Sequence, residues 1–416
     1  MMREMKDSGI PWIGEIPKDW ETKNIGQFYT HRVEKVSDKD YAPLSVTKNG
    51  VVPQLETAAK TDDGDNRKLV RVGDFCINSR SDRRGSCGIS PYDGSVSLIN
   101  TILTPRSEMS PRYYDWLFHT TMFADEFYKW GHGIVDDLWT TRWQEMKRIA
   151  IPTPSLAEQQ RIAEFLDRKC AEVDEMIGLQ EQIIEELKAY KQSKVKELFD
   201  TYMATETFTT LKLGAMASLV TKQTGFDYSN TISHALVGEL SENTIPYLQT
   251  KHFKDGYWNY DTDYYIPKDV AIRFPKILLN KKSLLFSIVG ASIGNVAVFP
   301  ATTTAFLGGA ICKVDLYKDC DYEYIKQYMM SIYGQEQISS KINSSAQGTI
   351  TVQNVRDFKI PMFDNPNIQK AITEEVSLLG DRISSLIAIK LSKIDSLKEY
   401  KKSIIYEYVT GKREVG

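Results

Sequence analysis

Arg80, Arg83 and Arg84 stand within five residues of one another in the run Arg80-Ser81-Asp82-Arg83-Arg84, between Gly73 and Gly85. Guanidinium groups gathered on a turn can lie along a phosphate backbone, each neutralising one charge. The same run would also suit a plain solvated loop. Ser45-Val46-Thr47-Lys48-Asn49-Gly50 forms a second polar turn. Its Lys48 can reach phosphate, and its Asn49 can pair through two hydrogen bonds with an adenine edge. Later, Gln249-Thr250-Lys251-His252-Phe253-Lys254 offers Lys251 and His252, while Lys281 and Lys282 stand at the wet end of an apolar run. Ser344-Ser345-Ala346-Gln347-Gly348 is a further polar loop able to make contacts. What these residues share is the ability to bind a polyanion, not to break bonds.

The machinery for bond breaking is thin. There is no HExxH, and His31, His119, His132, His234 and His252 are scattered. No GxGxxG or Walker A run occurs. Gly290 and Gly294 could cradle a phosphate, but no helix-forming run follows them, and a hairpin turn is the plainer reading. Glu145-Met146-Lys147 and Glu186-Leu187-Lys188 have the Glu-x-Lys spacing of some nucleases, without a Pro-Asp on a plausible neighbouring strand. No Asp-Pro-Pro-Tyr type pocket for amino methylation exists; Asn365-Pro366-Asn367-Ile368 fails at its third residue and reads as a helix cap. A binding and assembly chain is the leading reading. The alternatives are a magnesium-dependent nuclease built on Glu145 and a coiled-coil adaptor without nucleic acid.

Two long helices must position these groups. Pro152 and Pro154 keep the chain extended before Ser155, which has Glu158 three residues on, the spacing of a capping box. From Leu156 the chain runs without proline through Phe199. Ile162, Leu166, Cys170, Val173, Ile177, Ile184, Leu187 and Leu198 mark one apolar stripe, interrupted at Gln180 and Lys194. The second helix starts near Asp364 or Asn365 with Pro366 in its first turn and ends at Thr410-Gly411. Its stripe is Ile368, Ile372, Val376, Leu379, Ile383, Leu386, Ile394, Leu397, Ile404 and Tyr408. Neither stripe is stable uncovered in water. Antiparallel pairing with the other helix covers both and sets two globular heads in a pseudo-twofold relation; the rival is burial against another chain.

The heads repeat. Met146 and Ile149 before the first helix match Val355 and Phe358 before the second, each within a short helical turn and a strand that ends at proline. Ile16-Pro17-Lys18-Asp19-Trp20 opens one head and Phe208-Thr209-Thr210-Leu211-Lys212 the other. Phe75-Cys76-Ile77-Asn78 followed by Gly85-Ser86-Cys87 parallels Leu284-Leu285-Phe286-Ser287 followed by Gly290 to Val296, each a strand, a glycine turn and a strand.

Bulk composition narrows the class. Residues 1–155 carry 21 Lys and Arg against 22 Asp and Glu, and residues 201–359 carry 15 against 14, so any positive face must be made locally by folding. No stretch approaches 18 continuous apolar residues, which argues against a membrane span. The start has no apolar core after its charges and does not read as a signal peptide. Five cysteines without a CxxC pair fit a reduced, cytoplasmic protein.

These segments resemble the DNA-specificity subunit of type I restriction-modification systems over essentially the whole chain. The most specific are Ile16-Pro17-Lys18-Asp19-Trp20 and Ile151-Pro152-Thr153-Pro154-Ser155-Leu156-Ala157-Glu158-Gln159-Gln160-Arg161-Ile162-Ala163-Glu164-Phe165-Leu166-Asp167. The second copy departs at Ile368-Gln369-Lys370, where the Glu-Gln-Gln part is replaced, and keeps Tyr400-Lys401-Lys402-Ser403-Ile404-Ile405 near its end. The resemblance implies an α+β chain of two target-recognition domains, residues 1–154 and 201–363. Two spacer helices, 155–200 and 364–411, form an antiparallel coiled coil, and a tail at 412–416 follows. It implies a non-catalytic subunit that reads a bipartite double-stranded DNA sequence, asymmetric because the heads differ. The implied partners are two methyltransferase subunits carrying S-adenosylmethionine and two restriction subunits using ATP and Mg2+, with no cofactor on this chain and no membrane. Ser155, Glu158, Gln159, Tyr190 and Tyr400 are the expected partner or helix-junction residues.

Overall fold

The computed structural model describes residues 3–55, 64–106, 108–133, 139–254, 257–258, 262–300, 302–343 and 348–415. The chain divides into two compact units, Met1–Glu181 with Lys390–Gly416, and Gln182–Ile389. The division falls inside both long helices, Leu156–Thr205 and Pro366–Val409.

Each unit holds the same α+β head. In the first, a four-stranded antiparallel sheet runs in the order Cys87–Ile89, Phe75–Asn78, Asn100–Pro105, Tyr29–Arg32. In the second, Val296–Phe299, Ser283–Ser287, Ile311–Leu316 and Ala217–Lys222 follow in the same order. Two helices come next in each case, Pro111–Phe118 and Thr121–Lys129, or Tyr322–Met330 and Ile332–Ser339. The first helix of each pair is capped alike: Ser110 in one unit and Asp321 in the other accept from first-turn amides, while the second helix is capped by Thr120 in the first unit and has no side-chain cap at Ser331 in the second.

Each head is closed by a two-stranded ribbon that leads into a long helix. Glu21–Asn24 pairs with Ala150–Thr153, and Phe208–Lys212 with Lys359–Phe363. The expectation that proline ends these strands is corrected, because Pro152 and Pro361 sit within them. A ribbon of two strands has a free edge on each strand, where the missing proline N–H costs no ladder bond.

The long helices enter the head cores. In the first unit Ile162, Leu166 and Cys170 join Ile404, Tyr408 and Val409 among Tyr113, Phe118 and Trp20. Phe165 lies 4.4 Å from the Tyr408 ring centroid, and Lys401 bonds Asp174 at 2.6 Å, so the two segments run antiparallel. In the second unit Val195, Phe199, Ile372 and Val376 fill the same role beneath Tyr324 and Tyr328. Gly380 stands beside Lys191, and Tyr202 reaches Glu375, again antiparallel.

Two details differ from the periodicity. The first helix continues to Thr205, about a turn and a half past Phe199. Its stripe also shifts: Val195 and Phe199 are buried where Leu198 was expected, and Leu386 on the second helix is 43% exposed. A strict seven-residue spacing drifts around a helix of 3.6 residues per turn, so a heptad count fails once the partner changes from helix to head.

Candidate nucleic-acid interface

The arginine run forms a short helical turn, Ser81–Arg83, joining the Phe75–Asn78 and Cys87–Ile89 strands. Gly85 closes it at φ +76°, a left-handed conformation that favours glycine. Arg83 is 68% exposed and lies 3.5 Å from Asp82. Arg84 is 3.2 Å from Asp125 and sits 5.3 Å over the Tyr128 ring, both on the Thr121–Lys129 helix. Arg80 forms an isolated bridge to Thr140, ahead of the junction strand. Exposed ion pairs of this kind are weak and screened, and an arriving phosphate can compete with them.

Lys48 and Asn49 form the loop of the Leu44–Thr47 and Gly50–Pro53 hairpin, where Thr47 and Gly50 pair. Gly50 packs so closely on Gly88 that a Cβ there would stand 2.8 Å from the Gly50 Cα. The hairpin tip lines a cavity of about 480 Å³ with Arg112, Trp116, His119 and Lys401. It thus belongs to the helix side of the unit, and no feature of that cavity includes the arginine turn. The structure does not gather the first unit's candidates into one site.

In the second unit Lys251 pairs with Asp263 on the surface. His252 is corrected: it is only 6% exposed, and its ring accepts a hydrogen bond from the Gln249 amide at 3.0 Å. A side chain consumed in capping its own turn is not a base-reading group. Lys281 lies 3.1 Å from the buried Asp315, and Lys282 sits 5.4 Å over the Tyr322 ring. Asp315 also accepts from Ser283 at 2.6 Å and pairs with Lys313, whose ammonium is pushed below its ordinary range by burial. Lys281 therefore helps neutralise a structural carboxylate at the strand end. Of the Ser344 to Gly348 loop, residues 344–347 lie outside the described residues.

The junction residues are structural first. Ser155 Oγ accepts from the Glu158 amide at 3.3 Å, one half of the expected capping box. The reciprocal half is corrected: the Glu158 carboxylate accepts instead from the Trp20 indole at 2.9 Å and from Arg3. Gln159 Oε1 accepts from the Ser110 amide, and its Nε2 donates to the Pro154 carbonyl. Helix, ribbon and head are fixed by three side chains in sequence. In the second copy Gln369 keeps a bond to the Phe363 carbonyl at 3.3 Å, while Ile368 replaces the acid. Glu158→Leu leaves the buried Trp20 N–H without its acceptor and Arg3 with Asp19 alone, and a loss of about 2–3 kcal/mol in urea unfolding is expected. Tyr190 and Tyr400 are half exposed; Tyr190 lines a groove of about 440 Å³ with Lys194, Tyr202 and Glu375.

Glu145 lies on the short Trp143–Met146 helix, where Met146 anchors in the core. Among the described residues no three His, Cys, Asp or Glu stand together as metal ligands. Among them, too, no helix is long and apolar enough to cross a membrane.

Comparison with known proteins points one way. The type I restriction modification DNA specificity domain matches residues 17–189 and 230–399, one stretch for each head with its helix. The chain is 24% identical over 438 aligned positions to a Methanocaldococcus jannaschii protein assigned as the type I restriction enzyme MjaX specificity subunit, covering 97% of this chain and 96% of that one. Its fold is similar to that of a chain solved in work on complex assembly and conformational transition of the type I R-M system. That match has a TM-score of 0.70 at 14% identity and covers 96% of this chain and 99% of that chain. The HsdS subunit from Thermoanaerobacter tengcongensis matches with a TM-score of 0.48 at 16% identity, over 96% and 98% of the two chains. At 14% identity the likeness to the first of these two structures speaks for the fold alone.

Proposed function

The chain belongs to the type I restriction-modification DNA-specificity family as its non-catalytic subunit, and from that membership we propose that each unit reads one half of a bipartite, asymmetric DNA sequence. The observation that carries the reading is the duplicated head: the same sheet order, helix pair and ribbon are built from two different sequences. A shared frame with different surface residues is what two unlike half-sites require. Each mismatched base pair typically costs about 1–3 kcal/mol, so two short half-sites multiply discrimination.

The phosphate contacts we assign are Lys48, Arg80, Arg83 and Arg84 in the first unit and Lys251, Lys281 and Lys282 in the second, with Asn49 as a base reader. Near-neutral heads suit a subunit whose partners complete the clamp on the duplex. Two methyltransferase subunits supply S-adenosylmethionine and the methylating centre. Two restriction subunits supply ATP hydrolysis and Mg2+-dependent cleavage. The assembly works in the cytoplasm.

The test is co-purification with the products of neighbouring genes, followed by mapping of methylated bases in the genome. The expected motif has two unequal halves separated by an unread gap. A continuous methylated site would sink the two-head reading. Magnesium-dependent cleavage by the chain alone, lost in Glu145→Gln, would establish the nuclease alternative.

A further inference from the structure

The arginine turn of the first unit has a counterpart in the second at a constant offset of 209 residues. Ser81–Arg83 corresponds to Gly290–Ser292 as a short helical turn. The Asn78 amide donates to Ser86 O at 2.9 Å, and the Ser287 amide to Asn295 O at 2.9 Å. The Ser86 amide donates to Arg83 O, and the Asn295 amide to Ser292 O. Gly85 has φ +76°, and Gly294 has φ +96°. Arg80 bridges Thr140, and Val289 bridges Thr349. The backbone of the two turns is one construction.

The latches that hold these turns are chemically different. In the first unit Arg84 ties the turn to Asp125 and Tyr128 of the helix Thr121–Lys129. In the second, Gln335 of the corresponding helix, Ile332–Ser339, donates to the Gly294 carbonyl at 2.8 Å. An ion pair with a ring contact and a neutral amide bond bring the turn to the same helix. A turn needed only to connect two strands would require neither.

Resting on the DNA-reading function above, we infer that these turns are the equivalent DNA-facing edges of the two heads, and that they hold the backbone in different ways. The first grips by charge through Arg80 and Arg83, and through Arg84 where a phosphate competes with its exposed pairing to Asp125. The second carries Gly290, Ala291 and Ser292, side chains so small that peptide groups of the turn can approach a phosphate directly, the Ser292 hydroxyl being paired with that of Ser287 at 2.8 Å. The half-site under the first unit is therefore the more salt-sensitive. Ser292 occupies the position of Arg83, which makes the difference exchangeable.

The experiment uses the full chain assembled with its methyltransferase subunits and a duplex bearing the methylated sequence found for the wild-type complex. Affinity is measured across a salt series for the wild type, Arg83→Ser, Arg83→Lys, Ser292→Arg and the double exchange. Each phosphate contact contributes a slope of ~0.9 in log affinity against log salt. Arg83→Ser is expected to flatten the slope by about one, Ser292→Arg to steepen it by about one, and the double exchange to return it near the wild type. Arg83→Lys keeps the charge and should keep the slope; it also separates loss of a contact from loss of the fold. Unchanged slopes in both Arg83→Ser and Ser292→Arg would overturn the assignment of the turns. Absence of any bipartite methylated motif would instead overturn the functional reading beneath it.

Discussion

Trp20→Ala is expected to lower the stability of the first unit by about 3–5 kcal/mol, the range for removing a buried tryptophan. Trp20 is 1% exposed, and three separate parts of the chain depend on it. Its indole donates to Glu158 at the start of the first long helix. Its face receives the Arg3 guanidinium at 5.5 Å. Its edge is so close to Gly411, at the end of the second long helix, that a Cβ there would stand 2.9 Å away. Gly411 is also left-handed at φ +70°, so that helix can end against Trp20 and Pro17 only with glycine. Tyr113 secures the same end by donating to the Val409 carbonyl at 2.8 Å. Removing the ring opens a cavity at this meeting point and leaves Glu158 with Arg3 alone. Urea unfolding of the variant should show an early transition for the first unit while the second unit's transition stays where it was. Trp20→Phe keeps most of the volume and should fall between the two. A wild-type curve for Trp20→Ala would show that the C-terminal helix end is held by something other than this contact.

That junction was legible as a pattern, but its physics was not. Ile16-Pro17-Lys18-Asp19-Trp20 and Ser155 with Glu158 and Gln159 stand out in the sequence as motifs. A capping-box spacing says nothing of Trp20, because the acid's partner is 138 residues away. The long helices were readable from their apolar spacing, since helical periodicity is a local property. The place where the stripe shifts, at Val195 and Phe199, depends on what covers it and is not local. The duplicated strand, glycine turn and strand were likewise visible, because a left-handed turn calls for glycine at Gly85 and Gly294.

The site was less legible for the same reason. Exposure and polarity look alike in a sequence whether a side chain is free or already committed. His252 reads as a polar surface group, yet its ring caps the turn that carries it. Lys281 reads as a strand-end cation, yet it faces a carboxylate, Asp315, whose neighbour Lys313 is 1% exposed. Asp125, Tyr128 and Gln335 carried no signal at all, because each acts on a turn about 40 residues away in sequence. The register at 209 residues could have found Ser292, had the two turns been aligned position by position from Gly85 and Gly294.

Lengthening both long helices by seven residues, after Glu181 and after Ile389, is expected to widen the unread gap of the recognised sequence by about three base pairs. Both helices pass from one unit into the other, and these are the points of division. Seven residues add ~10.5 Å along a helix and turn it by only ~20° from a whole number of turns. At ~3.4 Å of rise per base pair, that length corresponds to about three pairs. Each unit keeps its own packing, because Ile162 to Cys170 still meet Ile404 to Val409, and Val195 to Phe199 still meet Ile372 to Val376. Lengthening one helix alone is a different matter. It makes the two connections between the same pair of units unequal by ~10.5 Å, and one of them must then buckle or pull a head core apart. That variant should lose methylation of the genomic motif, while the matched variant should methylate a motif with the same halves and a longer gap. Methylation mapping of cells expressing each version reads both outcomes. An unchanged gap with two lengthened helices would mean that the partner subunits, and not these helices, set the distance between the half-sites.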